Sequence, residues 1–478
     1  MPIPNWERSR NKYRRHLDST TAKTPHSRHS FWERSQRPSG KGFDVRHQLS
    51  RVGTLAIAVL AASVAVTACG SSDGATGGTS GTSGGKVELT IGTFTEFGYE
   101  DLLQEYMRLH PNIKITQHKT GEGGPYHQNL FTKLAAGSGL EDVAAVEEGY
   151  ISDVLARPNL FNDLSKIGPK DVTPDRWLPW KYEGGKAKNG ALIGYGTDIG
   201  PEAMCYRSDL FKAAGLPTDP EKVAPLFATW QSYFAAGDQY VAQTHKAWFD
   251  SDSQTFNAMH NQLPIGFLNT DDSLAMETNP QIKANWDTVT SAGGRGQSAK
   301  LTAFSPEWNN GFKTGAFATT VCPSWMLGVV KEQSGPKNSG KWAVTAAFPG
   351  GGGNWGGSYL TVPKQSKHPT EAAALAAWLT APEQQIKAFQ KTGNFPSQVK
   401  ALTDPALLGT TDPYFGNAKT GEIFSEQAKK VSKAQYKGPG DGKIKENAVS
   451  PALQAVEQGK SPQDGWQQAV NAAKKIIK

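Results

Sequence analysis

The chain has 478 residues, with 51 Lys and Arg against 44 Asp and Glu, and its formal net charge of +7 taken alone suggests an acidic partner. Residues 1–68 hold 12 of the basic residues and 4 of the acidic ones, which leaves 39 against 40 for everything that follows. The basic excess belongs to the leader, so a nucleic-acid partner is not expected of the body.

Residues 1–44 are polar and basic, without apolar periodicity. Two readings stand: translation starts at Val45, or the chain carries a long authentic n-region. Residues 45–68 read as a lipoprotein signal peptide. Arg46, His47 and Arg51 are its basic end, Val52 to Val66 is an uncharged apolar run of 15 residues, and Val66-Thr67-Ala68-Cys69 closes it with small residues before a cysteine. The run is shorter than the roughly 20 residues that a spanning helix needs. A lipobox requires a small residue before the scissile bond and a thiol after it, so Cys69 is the expected lipid attachment. The mature protein is then anchored in the cell membrane on its extracytoplasmic face. Residues 69–85 continue as an almost pure Gly, Ser and Thr tether, a composition that cannot bury a core. Two Gly-x-Ser-x-Gly matches, Gly70–Gly74 and Gly81–Gly85, fall inside the tether, where no strand-to-helix turn can form a nucleophile elbow.

The body, 86–478, is long enough for two domains. Val87, Leu89 and Ile91 alternate as a strand; Leu102, Leu103, Tyr106 and Met107 recur at helical spacing until His110-Pro111. A strand at Ile113–Ile115, a helix around Leu130, Phe131 and Leu134, and a strand at 142–146 complete an alternation that predicts a parallel α/β layer. Ala191–Tyr195 and Ala203–Tyr206 read as extended, Ser208–Ala214 as a helix closed by Gly215, and 221–297 as mostly helical. Trp342–Phe348 and Tyr359–Val362 read as strands, 350–353 as a glycine loop, Glu371–Leu379 as an Ala-rich helix, and the C-terminal stretch as helices.

Most motifs that suggest chemistry fail on context. Gly335-Pro336-Lys337-Asn338-Ser339-Gly340-Lys341 resembles a phosphate loop, but Trp342 stands where a hydroxyl is needed and a strand follows instead of a helix. The 10 histidines form no pair at i, i+4 and no cluster with cysteine, so neither a metal nor a cofactor is expected. Glu147 and Glu148 are neighbours that point to different faces, and sequence gives no carboxylate separation for a glycosidase. No catalytic constellation remains. Cys205 and Cys322 are either a disulfide, which an exported protein permits, or two buried thiols. What stands out is tryptophan: 11 of 13 follow the leader, several beside glycine or in loops, among them Trp308, Trp325 and Trp355. Indole faces stack on sugar rings, although a single tryptophan is more often part of the core.

In order along the chain, His110-Pro111-Asn112-Ile113, Tyr206-Arg207-Ser208-Asp209-Leu210-Phe211 with Ala214-Gly215-Leu216, Gly315-Ala316-Phe317-Ala318, Pro323-Ser324-Trp325-Met326-Leu327-Gly328 and Trp355-Gly356-Gly357-Ser358-Tyr359 form a set. The set, behind a lipobox, resembles the family 1 extracellular solute-binding proteins that serve carbohydrate ABC importers, similar to maltose- and cellobiose-binding proteins. The resemblance implies a two-lobe α/β, periplasmic-binding-protein-like fold with hinge strands and an inter-lobe ligand cleft. Lobe I would be 86–200 plus 355–393 and lobe II 201–354 plus 394–478, with crossings near Gly200, Trp355 and Asn394. It implies Trp325 and Trp355 as stacking platforms beside Gly356 and Gly357, Glu148 and Asp198 as hydroxyl acceptors, and Trp248, Asp250 and Trp308 as further ligand contacts. It also implies a Cys205–Cys322 disulfide. The expected partners are a di- or oligosaccharide, the permease subunits of an ABC importer and, through the lipid, the membrane; the expected state is a monomer. Alternatives are a peptide or polyamine receptor on the same fold, or a secreted glycoside hydrolase.

Overall fold

The computed structural model describes residues 85–431 and 435–478. The leader, Cys69 and the tether lie outside them. Among the described residues no helix is long and apolar enough to cross a membrane.

Two sheets organise the chain. In the first, the order is β2-β1-β3-β10-β4, where β1 is Val87–Phe94, β2 Ile113–Thr120, β3 Val143–Glu147, β4 Gly194–Gly196 and β10 Ser358–Thr361. β1 pairs in parallel with β2 and β3, each joined through a helix, Glu100–Leu109 and Gly123–Ala136, as the alternation of patterns predicts. β10 runs antiparallel to β3 and β4, so the layer is mixed and not purely parallel. The reason is long-range: β10 arrives from more than 150 residues downstream, and no local pattern sets its direction. Leu89, Ile91, Val143, Val146 and Leu360 fill the core around this sheet.

The second sheet has the order β7-β8-β6-β9, with β6 Glu202–Arg207, β7 Ala247–Phe249, β8 Phe317–Pro323 and β9 Trp342–Thr345. Successive side chains of a strand point to opposite faces. In β6, Met204 and Tyr206 accordingly enter one core while Ala203 and Cys205 enter another, a strand buried on both sides. β7 interrupts the segment expected to be helical: three residues are too few to show alternation, and the strand exists through parallel pairing of Ala247 and Phe249 with β8. The sulfurs of Cys205 and Cys322 are bonded across β6 and β8. Helices at 441–476 pack Ile444, Val449, Leu453 and Trp466 into the core of Met204 and Phe211.

Between the sheets lies a two-stranded ribbon of β5, Asp198–Ile199, and β11, Phe395–Pro396. The chain passes from β4 to β6 through β5, and from β9 back to β10 through 346–357; Pro201 bridges to Asn354 where these passages meet. The molecule is thus the two-lobe α/β architecture with connecting strands at the junction.

Candidate functional site

The junction is built on backbone that only glycine can form. Trp355 N–H donates to the Gly200 carbonyl at 2.8 Å, and a Cβ on Gly200 would stand 1.8 Å from the Trp355 carbonyl oxygen. Gly357 has φ +96°, and a Cβ there would meet the Asp198 carbonyl at 2.4 Å. Asn354 ties the passages together: its Oδ1 accepts from Gly200 N–H at 2.9 Å, and its Nδ2 donates to Glu148 Oε2 at 2.9 Å and to the Gly356 carbonyl at 3.1 Å. Trp325 donates its indole N–H to the Trp355 carbonyl at 2.8 Å, and the two rings meet edge to face with centroids 6.0 Å apart.

Beside this knot is a cavity of about 30 Å³, walled by Trp355, the end of β3 and the following helix at Glu147 and Gly149, the helix Asp252–Asn261, and the segment from Gln435 to Lys445. That volume holds only two or so water molecules at the roughly 10 to 15 Å³ each requires, so a sugar ring enters only when the walls part. The walls touch along one rim. Glu148 Oε1 is 3.4 Å from Lys437 Nζ, Ser152 donates to the Lys437 carbonyl, Gly440 N–H donates to Asp153 Oδ2 at 3.0 Å, and Lys443 lies 3.5 Å from Asp153.

Of the Glu147–Glu148 pair, Glu147 lines the cavity, and Asp441 lines it from the facing segment, its Oδ1 accepting from Phe267 N–H at 2.6 Å. Glu148, expected as a hydroxyl acceptor, has turned to Asn354 and Lys437, because the strand ends between the two residues and the first helical residue faces another way. His127 sets this corner: its Nδ1 donates to the Gly123 carbonyl at 2.6 Å, its Nε2 accepts from Glu147 N–H at 2.9 Å, and burial pushes its imidazole down to about 4. Burial would raise the Glu147 carboxyl, but Lys445, His127 and Lys437 outweigh it and hold the group below its ordinary range.

Asp198, the other expected acceptor, braces the junction instead. Its Oδ1 accepts from Thr197 Oγ1 at 2.6 Å and from Ser358 N–H at 3.1 Å. Burial raises its carboxyl despite the neighbouring Lys181, whose own ammonium is pushed down to about 8 by burial and sits 4.0 Å above the Tyr359 ring. Trp355 with Gly356 and Gly357 does lie at the junction, and Trp355 reaches the cavity; Trp325 stands behind it. Trp248, Asp250 and Trp308 are corrected from ligand contacts to core. All three are fully buried; Trp248 stacks on Phe211 at 5.2 Å, and the Trp308 indole donates to Asp250 Oδ2 at 2.8 Å.

Sequence reading missed the polar face of the helix Asp252–Asn261. Asn257, His260 and Asn261 line the cavity; among the described residues Asn257 Nδ2 and both ring nitrogens of His260 have no partner, and Asn261 faces the buried Glu202 carboxyl. The available signal was the spacing i, i+3, i+4, which gathers polar groups on one side of a helix whose Phe256 and Met259 are also buried. Among the described residues no group of three or more His, Cys, Asp or Glu could hold a metal.

The family described as bacterial extracellular solute-binding protein matches residues 101–414. An arabinooligosaccharide-binding protein of Bacillus subtilis (strain 168) is 30% identical over 305 residues, covering 59% of this chain and 67% of that one. A crystal structure of an extracellular solute-binding protein family 1 member is 49% identical, with a TM-score of 0.74, over 82% of this chain and 100% of its own. An ABC transporter associated binding protein from B. animalis subsp. lactis Bl-04, solved with beta-1,6-galactobiose, shares the fold at 20% identity and a TM-score of 0.69, over 82% of this chain and 97% of its own. With its junction, its cavity between two sheets and these matches, the chain belongs to the bacterial extracellular solute-binding proteins.

Proposed function

We propose that this protein captures a neutral di- or oligosaccharide outside the cytoplasmic membrane and delivers it to an ABC importer. One observation carries the reading: a cavity at the junction joins an aromatic ring, Trp355, to uncharged polar groups that, among the described residues, have no partners. Of the two lysines in its wall, Lys437 is paired with Glu148 and Lys445 acts on Glu147 through space, while burial pushes the nearby Glu202 carboxyl up, towards its uncharged form. Sugars present apolar C–H faces and hydroxyl edges, which such a wall complements. The arabinooligosaccharide-binding relative and the galactobiose-bound neighbour support the sugar class. A polyamine receptor needs uncompensated carboxylates, and two lysines in the wall weigh against it.

Closure of lobe I, 86–200 plus 355–393, on lobe II, 201–354 plus 394–478, traps the ligand, and the closed monomer is the form that the permease recognises. Acylated Cys69 holds the receptor at the membrane through the flexible tether. A thermal-shift screen of the purified protein against arabino-, galacto- and gluco-oligosaccharides, peptides and polyamines tests the reading. A sugar at about 100 times its Kd adds roughly 2.7 kcal/mol. Stabilisation by a polyamine or peptide alone rejects the sugar assignment, and turnover of a chromogenic glycoside points to a hydrolase.

A further inference from the structure

We propose that the helix Asp252–Asn261 is the wall that reads the edge of the sugar: His260 donates to one hydroxyl from one ring nitrogen and accepts from a second on the other, and Asn257 and Asn261 donate to oxygens beside them. The inference rests on the carbohydrate reading above and adds residues and a selection rule to it.

Position comes first. Residues at i, i+3 and i+4 share one helix face, and this face borders the cavity opposite the end of β3. His260 is 2% exposed and Asn257 7%, yet among the described residues their side-chain nitrogens meet no partner. Buried donors and acceptors are almost always paired, so three such nitrogens on one wall point to a ligand that pairs them.

The His260 ring is also held in one orientation. It lies nearly parallel to Phe267, with centroids 4.0 Å apart and planes 15° apart, and parallel to Phe256 at 5.8 Å and 8°. Aromatic neighbours occupy its faces, so only its nitrogen-bearing edge is free for recognition. Burial, aided by Lys437, pushes the imidazole down to about 3, so it is neutral, with one N–H donor and one bare acceptor nitrogen. Two neighbouring sugar hydroxyls, one accepting and one donating, match that edge; a cation, which can only donate, and a carboxylate, which can only accept, each leave one nitrogen unpaired. Trp355 lines the same cavity and offers an apolar ring to the sugar's C–H face.

The consequence is selectivity. A site built to hydrogen-bond a hydroxyl rejects the analogue that lacks it far more strongly than a site that only accommodates its volume. The test is calorimetric titration of the protein with arabinobiose, galactobiose and maltose, repeated with His260→Phe, which keeps the stacked ring and removes both nitrogens, and with Asn261→Ala. For the sugar that the wild type binds, His260→Phe should weaken affinity about tenfold or more and Asn261→Ala about threefold to tenfold. The unliganded His260→Phe protein should melt at the wild-type temperature or above it, since an unpaired buried imidazole has been replaced by an apolar ring. Deoxy analogues of that sugar should contain one that binds the wild type poorly and His260→Phe no worse than the parent sugar does. Equal affinities in wild type and both variants overturn the assignment and leave the carbohydrate reading intact. Failure of every sugar to bind the wild type overturns both. Should His260→Phe not fold, Asn261→Ala, at the half-buried end of the helix, carries the same test.

Discussion

At the scale of single residues, the junction separates side chains that face the cavity from side chains that hold them in place. Trp355 faces the cavity, whereas Trp325 spends its indole N–H on the Trp355 carbonyl. Trp355→Ala should therefore weaken sugar binding about tenfold or more, through loss of the stacked face. Trp325→Phe should cost about 1 kcal/mol of stability through one lost hydrogen bond and change the Kd less; titration and melting of the two variants separate these roles. Gly357→Ala faces both a φ of +96° and a carbonyl 2.4 Å from the new Cβ. The expected loss is about 1 to 3 kcal/mol, visible in denaturant melts.

At the scale of elements, two helices act through charges away from the cavity. The helix Glu148–Leu155 closes the rim by placing Asp153 against Gly440 N–H and Lys443. Asp153→Ala should raise the Kd by about fivefold to tenfold, through faster sugar release, because these contacts form when the walls are together. Stopped-flow dissociation is the direct measurement. The helix Asp252–Asn261 begins with a buried carboxyl beside Glu457, which accepts from Asp252 N–H at 2.7 Å. Burial raises both carboxyls, joined by repulsion from Glu457 at Asp252, which rises to about 8, and by repulsion from Asp250 at Glu457. A raised carboxyl contributes stability that is fully present below its unfolded pKa, about 4, and is lost as pH rises through the folded value. The thermal midpoint should therefore fall as pH rises from about 7 to about 8 and stop falling above it, a window in which the histidines are largely neutral in both states. Asp252→Asn should flatten the slope; an unchanged slope would show that the pair does not titrate there.

At the scale of the whole molecule, the Cys205–Cys322 disulfide spans 117 residues of sequence yet joins strands that already pair, so it constrains the unfolded chain more than the native one. Replacing both cysteines by alanine should lower stability by about 2 to 5 kcal/mol and leave sugar affinity unchanged, as melting and titration of the same sample would report.

Local pattern was enough for much of this. Alternation in β1, the stop at His110-Pro111 and the charge split at residue 68 are read within a few positions, because backbone preference and net charge depend on near neighbours. The two-lobe fold was legible through the ordered set of motifs, and the junction through Trp355-Gly356-Gly357. Other features depended on elements that meet only in the folded chain. β7 is a strand because β8 lies beside it; Trp248, Asp250 and Trp308 are core because other elements cover them; and Glu147 takes the place expected for Glu148 because a strand ends between them. The polar face of Asn257, His260 and Asn261 gains its meaning only from Trp355 and Lys437 nearby, residues almost 100 or more positions away. Periodicity states which residues share a face; which segments cover that face is decided by packing, and packing couples distant parts of the chain.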